Sequence, residues 1–325
     1  MFVFITIDTE TSIPPPAPDI GFDRLVSRGI WGECDEGNFG TRYMARVFEE
    51  HGLKAVFFIE ALHASVFGSK HLEETVTVVQ AHGQEAQLHV HTEWMAHAPS
   101  QLFDGRTGVN IADFSTAEQA DLLALGKNNL VEAGANDVTA FRAGNYGAND
   151  NTLPALARNG IHFDASYNAS YLGDPCGISW PERMTGPEKI GETVEVPVTW
   201  FHDGPGHIRA LQLCACSLAE MHHVLSGMAE SGAQAASIVL HSSELLSRDK
   251  TRVEKIVRSR FLGLCKFLAD NREIFRTVGF NDVAAWRTEA LGANAPAVRS
   301  SVLRTALRMA EQATGNFLYQ RGRAA

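Results

Sequence analysis

The feature that most limits what this chain can fold into is a repeated alternation of short and long patterns. Short runs rich in β-branched and aromatic residues alternate with longer stretches of helical spacing, and several of the runs end in titratable side chains. Phe2 to Ile7, Ala55 to Ile59, Ala86 to His91, Val138 to Phe141, Ile161 to Phe163, Val194 to Val198, Ala210 to Cys214 and Ser237 to His241 read as strands. Thr41 to His51, Leu72 to His82, residues 116 to 133, Leu153 to Asn159, Leu218 to Glu230 and Arg252 to Asp270 read as helices. Gly52, Gly83, Gly134 and Gly160 supply helix stops. Such strand-then-helix units predict a parallel sheet with right-handed crossovers. The expected class is α/β, as an irregular (β/α) barrel of about seven parallel strands whose polar strand ends gather at one face. An open doubly wound sheet is the alternative, weakened because no Gly-rich nucleotide fingerprint follows any strand.

Two segments break the alternation. Residues 11 to 39 contain the run Ile13-Pro14-Pro15-Pro16-Ala17-Pro18, which suits neither helix nor central strand, and then a Gly-rich stretch. They read as a loop insertion beside the first strand. Residues 297 to 319 carry an amphipathic pattern through Val302, Leu303, Ala306, Leu307, Met309 and Ala310. This predicts a C-terminal helical extension, packed on the barrel or on a second subunit, so a homo-oligomer stays open. The expected division is a barrel over residues 1 to 285 and a tail over 286 to 325.

A length of 325 residues with 45% hydrophobic content supports one large core. A formal charge of −10 with no basic stripe argues against a nucleic-acid partner. Five cysteines, an odd count without framework spacing, read as reduced thiols. The apolar start lacks a basic region and meets Asp8 and Glu10 at once, and no run approaches the length of a transmembrane segment. The expectation is a cytoplasmic protein.

Four strand-end constellations carry candidate chemistry. Asp8 and Glu10 lie at i, i+2, so on a strand they share a face, where two like charges require a cation, a proton or an Arg. His89 and His91 likewise share a face and can hold one divalent metal, although two solvent-facing histidines would look the same. Arg142, at a strand end beside Gly144 and Gly147, can grip a carboxylate or bridge two loops. His241, just past an apolar strand, can act as a general acid or serve as a hydrogen-bonded rim residue. No Gly-x-Ser-x-Gly elbow is present to support a serine nucleophile.

The order of these constellations resembles the polysaccharide deacetylases of the NodB-homology, carbohydrate esterase 4 type. The residues carrying the resemblance are Asp8-Thr9-Glu10, Gly83 to His91, Arg142-Ala143-Gly144-Asn145-Tyr146 and Val239-Leu240-His241, with echoes at Lys54 to Phe58 and Glu195-Val196-Pro197. Gln87 to Trp94 looks most like a branch linked to lipopolysaccharide or surface-glycan biosynthesis. The resemblance implies a NodB-type barrel and a metal-dependent hydrolase removing an acetyl group from a sugar or glycan precursor. It implies Asp8 as base, Arg142 as its partner, His241 as acid, and Glu10, His89 and His91 around a divalent metal, most simply zinc. Tyr146 would offer a backbone N–H to the oxyanion, and Trp94, Trp200 and Phe201 are candidates for stacking on sugar.

The departures are specific. Thr9 stands where the commonest motif has a metal Asp. The usual second histidine would fall at Glu93 or Met95, so Glu93 competes with His91 for the third ligand position or contacts substrate. Gly144-Asn145 replaces a proline. Two other functions stay open: a metal-independent cyclic-amide hydrolase resembling allantoinases, and a glycan-binding homologue without catalysis.

Overall fold

The computed structural model describes residues 1–13, 21–98, 105–289, 291 and 295–320. One curled sheet organises the chain. Its strands are β1 (Phe2–Thr9), β2 (Val56–Glu60), β3 (Glu85–Val90), β4 (Ala140–Ala143), β5 (Phe163–Asp164), β6 (Glu188–Ile190), β7 (Thr193–Glu195), β8 (Ala235–His241) and β9 (Arg276–Thr277). Their order is β8-β1-β2-β3-β4-β5-β7-β6, with β9 also on β1. Every pairing is parallel except β6 with β7. This is the curled, mostly parallel sheet of a NodB-type (β/α) barrel.

The expected strand at Ala210 to Cys214 is a correction. Ala210 ends an antiparallel hairpin formed by Trp200–Gly204 and His207–Ala210. Leu211 and Leu213 then only bridge to β8, Leu213 N donating to Val239 O at 3.1 Å, while Thr199 N donates to Ser237 O at 3.1 Å. These short bridges span the gap that a regular strand would have closed.

Side-chain alternation sorts β1 into two layers. Val3, Ile5 and Ile7 join the apolar cluster shared with Met44 and Phe48 of α2 (Thr41–Glu50) and with Leu264 and Leu268 of the Lys255–Asp270 helix. Phe4 points the other way, into a second cluster with Phe58, Phe163 and Phe280. Phe4 and Phe280 stack with centroids 4.8 Å apart. Each such buried ring contributes about 1.5–3 kcal/mol through its removal from water. The parity that sends Phe4 to this layer also sends Thr6, Asp8 and Glu10 there, so the aromatic layer is the floor of the site.

The remaining helices match the periodic stretches closely: α3 (Lys70–Ala81), α4 (Thr116–Glu132), α5 (Thr152–Arg158), α6 (Leu218–Glu230) and α7 (Lys255–Asp270). Ser115 with Glu118 and Ser217 with Glu220 form capping boxes that start α4 and α6.

Residues 11 to 39 are not a plain loop. A helix, α1 (Phe22–Gly29), buries Val26, and a two-strand hairpin follows at Glu33–Cys34 and Gly37–Asn38. Much of the proline run lies outside the described residues. Gly29 permits the docking of α1: a Cβ there would sit 2.9 Å from Thr11 Cα.

The tail forms α8 (Val302–Gly315), followed by a wider turn over Asn316–Gln320. It docks on the barrel by its polar side. Arg308, 3% exposed, donates to Glu220 Oε1 at 3.2 Å and to Asp203 Oδ2 at 2.9 Å. Val302, Leu303, Leu307 and Met309 stay exposed. The amphipathic pattern is therefore turned the opposite way from a helix that buries its apolar stripe, because two buried carboxylates demand a cation. Among the described residues, no helix is long and apolar enough to cross a membrane.

A candidate metal centre at the strand ends

Strand ends β1, β3, β4 and β8 converge on a cleft of about 330 Å³, lined by Asp8, Glu10, His89, His91, Tyr146 and His241 among others. In-register pairing explains the convergence. Asp8 pairs with His241 across β1 and β8, and His89 pairs with Arg142 across β3 and β4.

Glu10, His89 and His91 place one ligand atom each within 4.8 Å of one another, the one such metal-capable group among the described residues. His89 Nε2 is 2.9 Å and His91 Nε2 is 2.5 Å from Glu10 Oε2. The outer nitrogens set the tautomers. His89 Nδ1 faces the Arg142 carbonyl oxygen at 2.7 Å, and His91 Nδ1 faces Glu93 Oε2 at 2.7 Å. Both acceptors call for an N–H at Nδ1, which leaves each Nε2 lone pair for a cation. Burial opposes charge on Glu10, but the two imidazoles outweigh it and hold its carboxyl well below the usual range. Burial likewise opposes charge on His91, and Glu10 and Glu93 outweigh it and push the imidazole well up. Two imidazoles and a carboxylate, drawn together this strongly and backed by oxygen acceptors, are a donor set that fits zinc or a similar divalent ion.

Glu93 sits on a turn, Thr92–His97, behind His91 and also accepts from Asn145 Nδ2 at 3.3 Å. It belongs to the group of side chains that orient His91 rather than to the metal-capable triad. Gly144 is the reason His91 fits. A Cβ at 144 would lie 2.6 Å from His91 Nδ1, so the glycine makes room for the ring.

On the other side of the cleft lies Asp8, 3% exposed. Arg142 Nη1 donates to Asp8 Oδ1 at 2.7 Å and to Thr6 Oγ1 at 2.9 Å, while its Nε donates to Ala165 O at 2.9 Å. The fully buried guanidinium lies 4.6 Å over the Phe58 ring. Asp8 Oδ2 is 3.9 Å from His241 Nε2. Burial pushes the His241 pKa down, and the carboxylates of Asp8, Glu244 and Glu10 reverse this, so the net shift is upward.

Tyr146 and Asn145 are consecutive non-glycine residues with φ of 57° and 56°, a conformation disfavoured for such residues and concentrated at functional sites. The Tyr146 phenol stacks on Tyr171 at 5.6 Å. Burial and Asp8 drive its pKa upward, so it stays neutral. Trp94 is not brought to the cleft: it is 1% exposed and packs against Phe22 and Phe67. Trp200 and Phe201 are also buried, with Trp200 Nε1 donating to Met184 O at 2.7 Å.

Sequence reasoning missed Gln212, Glu244, Tyr171 and Pro175. Gln212 Nε2 lies 3.4 Å from His241 Nδ1, and Glu244 accepts from the His241 backbone N–H at 3.1 Å. Glu244 stands three residues past His241, which was the available local signal.

No family model matches the chain, and no curated protein matches it. Solved structures do. A putative polysaccharide deacetylase from Mycobacterium smegmatis is 16% identical, over 91% of this chain and 94% of that one, with a TM-score of 0.58. A 4-alpha-glucanotransferase from Thermococcus litoralis is 11% identical, over 93% of this chain but 41% of that one, with a TM-score of 0.53. A family 4 carbohydrate esterase from Streptomyces lividans, in complex with acetate, is 11% identical over 91% and 97%, with a TM-score of 0.45. The chain has the fold of the polysaccharide deacetylases.

Proposed function

We propose that this protein is a metal-dependent hydrolase that removes an acetyl group from an acetylated sugar. The observation that carries the reading is the juxtaposition of two devices in one cleft. Glu10, His89 and His91 converge on one side, and an Arg142-held Asp8 faces His241 on the other. A cyclic-amide hydrolase working without metal would have no use for two imidazoles whose outer nitrogens are both tied off.

A divalent ion held by Glu10, His89 and His91, zinc by its donor set, would supply Lewis-acid polarisation and a water of lowered pKa. The chain's own residues do the rest. Arg142, itself anchored on Thr6 Oγ1, fixes one oxygen of Asp8, and the other faces the cleft, placed to take a proton from an attacking water. The carboxylates around His241 raise its pKa and so favour its protonated form, which delivers the proton to the leaving nitrogen or oxygen. Gln212 lies 3.4 Å from His241 Nδ1, and Nε2 is the ring atom turned toward Asp8. The neutral Tyr146 ring, stacked on Tyr171, closes one wall against the sugar. At about 330 Å³ the cleft lies at the lower end of the range for small-ligand pockets and suits an acetylated sugar ring. We extend the reading to surface-glycan precursors on the resemblance carried by Gln87 to Trp94.

The test is acetate release from acetylated mono- and oligosaccharides by zinc-loaded enzyme. Asp8→Asn should lose at least about 100-fold in turnover, the usual scale for a positioned base, while binding zinc in unchanged stoichiometry. Full activity in that variant refutes the assignment of Asp8, and activity undiminished in metal-stripped protein refutes the metal-dependent reading.

A further inference from the structure

A second depression, of about 540 Å³, opens beside the chain that leaves β1. Its wall includes Ser12, Arg24, Leu25, Arg28, Arg248 and Lys250. Arg24, Leu25 and Arg28 recur at helical spacing on α1, and Arg248 and Lys250 come from the turn before α7. A chain of net charge −10 thus gathers four cations around one hollow.

Among the described residues none of the four forms an ion pair, and Lys250 Nζ reaches only Ser12 Oγ, at 3.5 Å. Asp249 also borders the hollow, but its Oδ1 is committed to its own turn. It accepts from Ser247 Oγ at 2.6 Å, Thr251 Oγ1 at 2.9 Å and Thr251 N at 3.1 Å. That turn holds Lys250 at φ 55°, a strained conformation for a residue with a side chain. Four cations facing one bordering carboxylate repel one another, and an anionic ligand relieves that repulsion.

The hollow has no lining residue in common with the metal centre, but the two are linked through the segment that follows β1. Glu10 N donates to Ser242 Oγ at 3.4 Å, and Ser242 Oγ donates to Gly29 O at 2.8 Å, which ties the end of α1 to the metal-ligating segment. Glu10 and Arg28 both act electrostatically on Lys250.

We propose that this hollow binds a phosphate or diphosphate group carried by the acetylated sugar, so that the substrate is a phosphorylated sugar whose acetyl group sits at Glu10, His89 and His91. The inference rests on the deacetylase reading for what the sugar carries, but not for the anion site itself. Three guanidiniums and an ammonium exceed what a single carboxylate would need, and guanidiniums match phosphate oxygens through paired N–H groups. A nucleoside diphosphate sugar and a prenyl diphosphate sugar present the same group.

The experiment is calorimetric titration of the full chain with inorganic pyrophosphate at fixed ionic strength, in wild type and in R24A/R248A. Saturable binding that weakens at least tenfold in the double variant is expected, with both proteins melting alike. Pyrophosphate binding no tighter in wild type than in the variant overturns the site. In turnover, the preference in kcat/KM for a phosphorylated over an uncharged acetylated sugar should fall at least tenfold in R24A/R248A, and an unchanged preference also overturns it. A nucleoside-linked or a prenyl-linked substrate being preferred supports the site and names its source. Pyrophosphate binding without hydrolysis of any acetylated sugar removes the deacetylase reading and leaves the anion site standing. Hydrolysis without pyrophosphate binding does the reverse.

Discussion

Glu195→Gln should change how the stability of this protein depends on pH. Asp164 and Glu195 are register partners on β5 and β7, both fully buried, and their carboxyls interact with each other. Ser166 Oγ and N donate to Asp164 Oδ1 at 2.5 and 3.1 Å, and Tyr167 N donates to Glu195 Oε1 at 3.0 Å. Asp164 Oδ2 and Glu195 Oε2 have no hydrogen-bond partner, and a proton shared between them would satisfy both. Burial, with Asp164 alongside, pushes the Glu195 pKa well above the usual carboxylate value, and burial raises that of Asp164. The sign follows. Above the unfolded carboxylate pKa the folded pair keeps one proton that the unfolded chain releases. The pair's contribution is complete below that pKa and is lost as pH rises through the folded value. Within this window stability falls by about 1.4 kcal/mol per pH unit for the one extra proton. For 325 residues, an unfolding entropy of about 2.1 cal/mol/K per residue makes this ~2 °C of Tm per pH unit. Gln at 195 cannot ionise, and its amide N–H can donate to an ionised Asp164, so the dependence should vanish. Melting both proteins from pH 5 upward at constant ionic strength should show the difference in Tm, variant minus wild type, rising by ~2 °C per unit until the pH passes the folded value. Parallel profiles would refute the shared proton.

Four further outcomes follow from the same coordinates. Glu93→Gln should weaken zinc binding about 10–100-fold, the usual effect of losing the acceptor behind a ligating histidine, as read by competition with a chromogenic chelator. Gly144→Ala, whose Cβ would meet the His91 ring at 2.6 Å, should lower zinc affinity although residue 144 offers no ligand. Arg142→Met should abolish turnover and cost about 3–5 kcal/mol in urea unfolding by stranding buried Asp8, with much of that cost recovered in the Asp8→Asn, Arg142→Met double variant. Arg308→Met strands buried Glu220, while Asp203 keeps Arg209 Nε at 2.6 Å, and should destabilise by a similar ~3–5 kcal/mol, with limited proteolysis detaching α8 first.

Much of the architecture was legible because period alone encodes it. The ends of β1, β3 and β8 and the bounds of α2, α4 and α6 fall within a few residues of the periodic runs. The grouping of Asp8, Glu10, His89, His91, Arg142, Tyr146 and His241 was legible for the same reason, since each stands at a strand end. What could not be read depends on contacts between distant segments. Trp94 looked available to a ligand until Phe22 and Phe67 covered it. The short α1 was hidden because proline and glycine dominate its surroundings, and its face is completed only by Thr11 and Ser242. In α8 the apolar stripe was visible, but its outward direction follows from Asp203 and Glu220, about a hundred residues away.

The departures at positions 9, 93 and 144 then have one physical explanation. On an extended strand, residue 9 faces away from residues 8 and 10, and Thr9 is accordingly buried with its Oγ1 on Ile7 O at 3.3 Å. A ligand on the same side as Asp8 must come from position 10, and glutamate has the reach. The same parity selects His91 as the partner of His89 and places Val90 in the apolar layer. With His91 as ligand, a residue four positions beyond His89 is free to stand behind the ring, and Glu93 does so. The His91 ring in turn occupies the volume that a side chain at 144 would need, so only glycine suits that position. On the proposed reading, taking every ligand from a single face of two extended strands accounts for all three departures together. Restoring any one of them alone to the commoner residue should therefore impair the site rather than improve it.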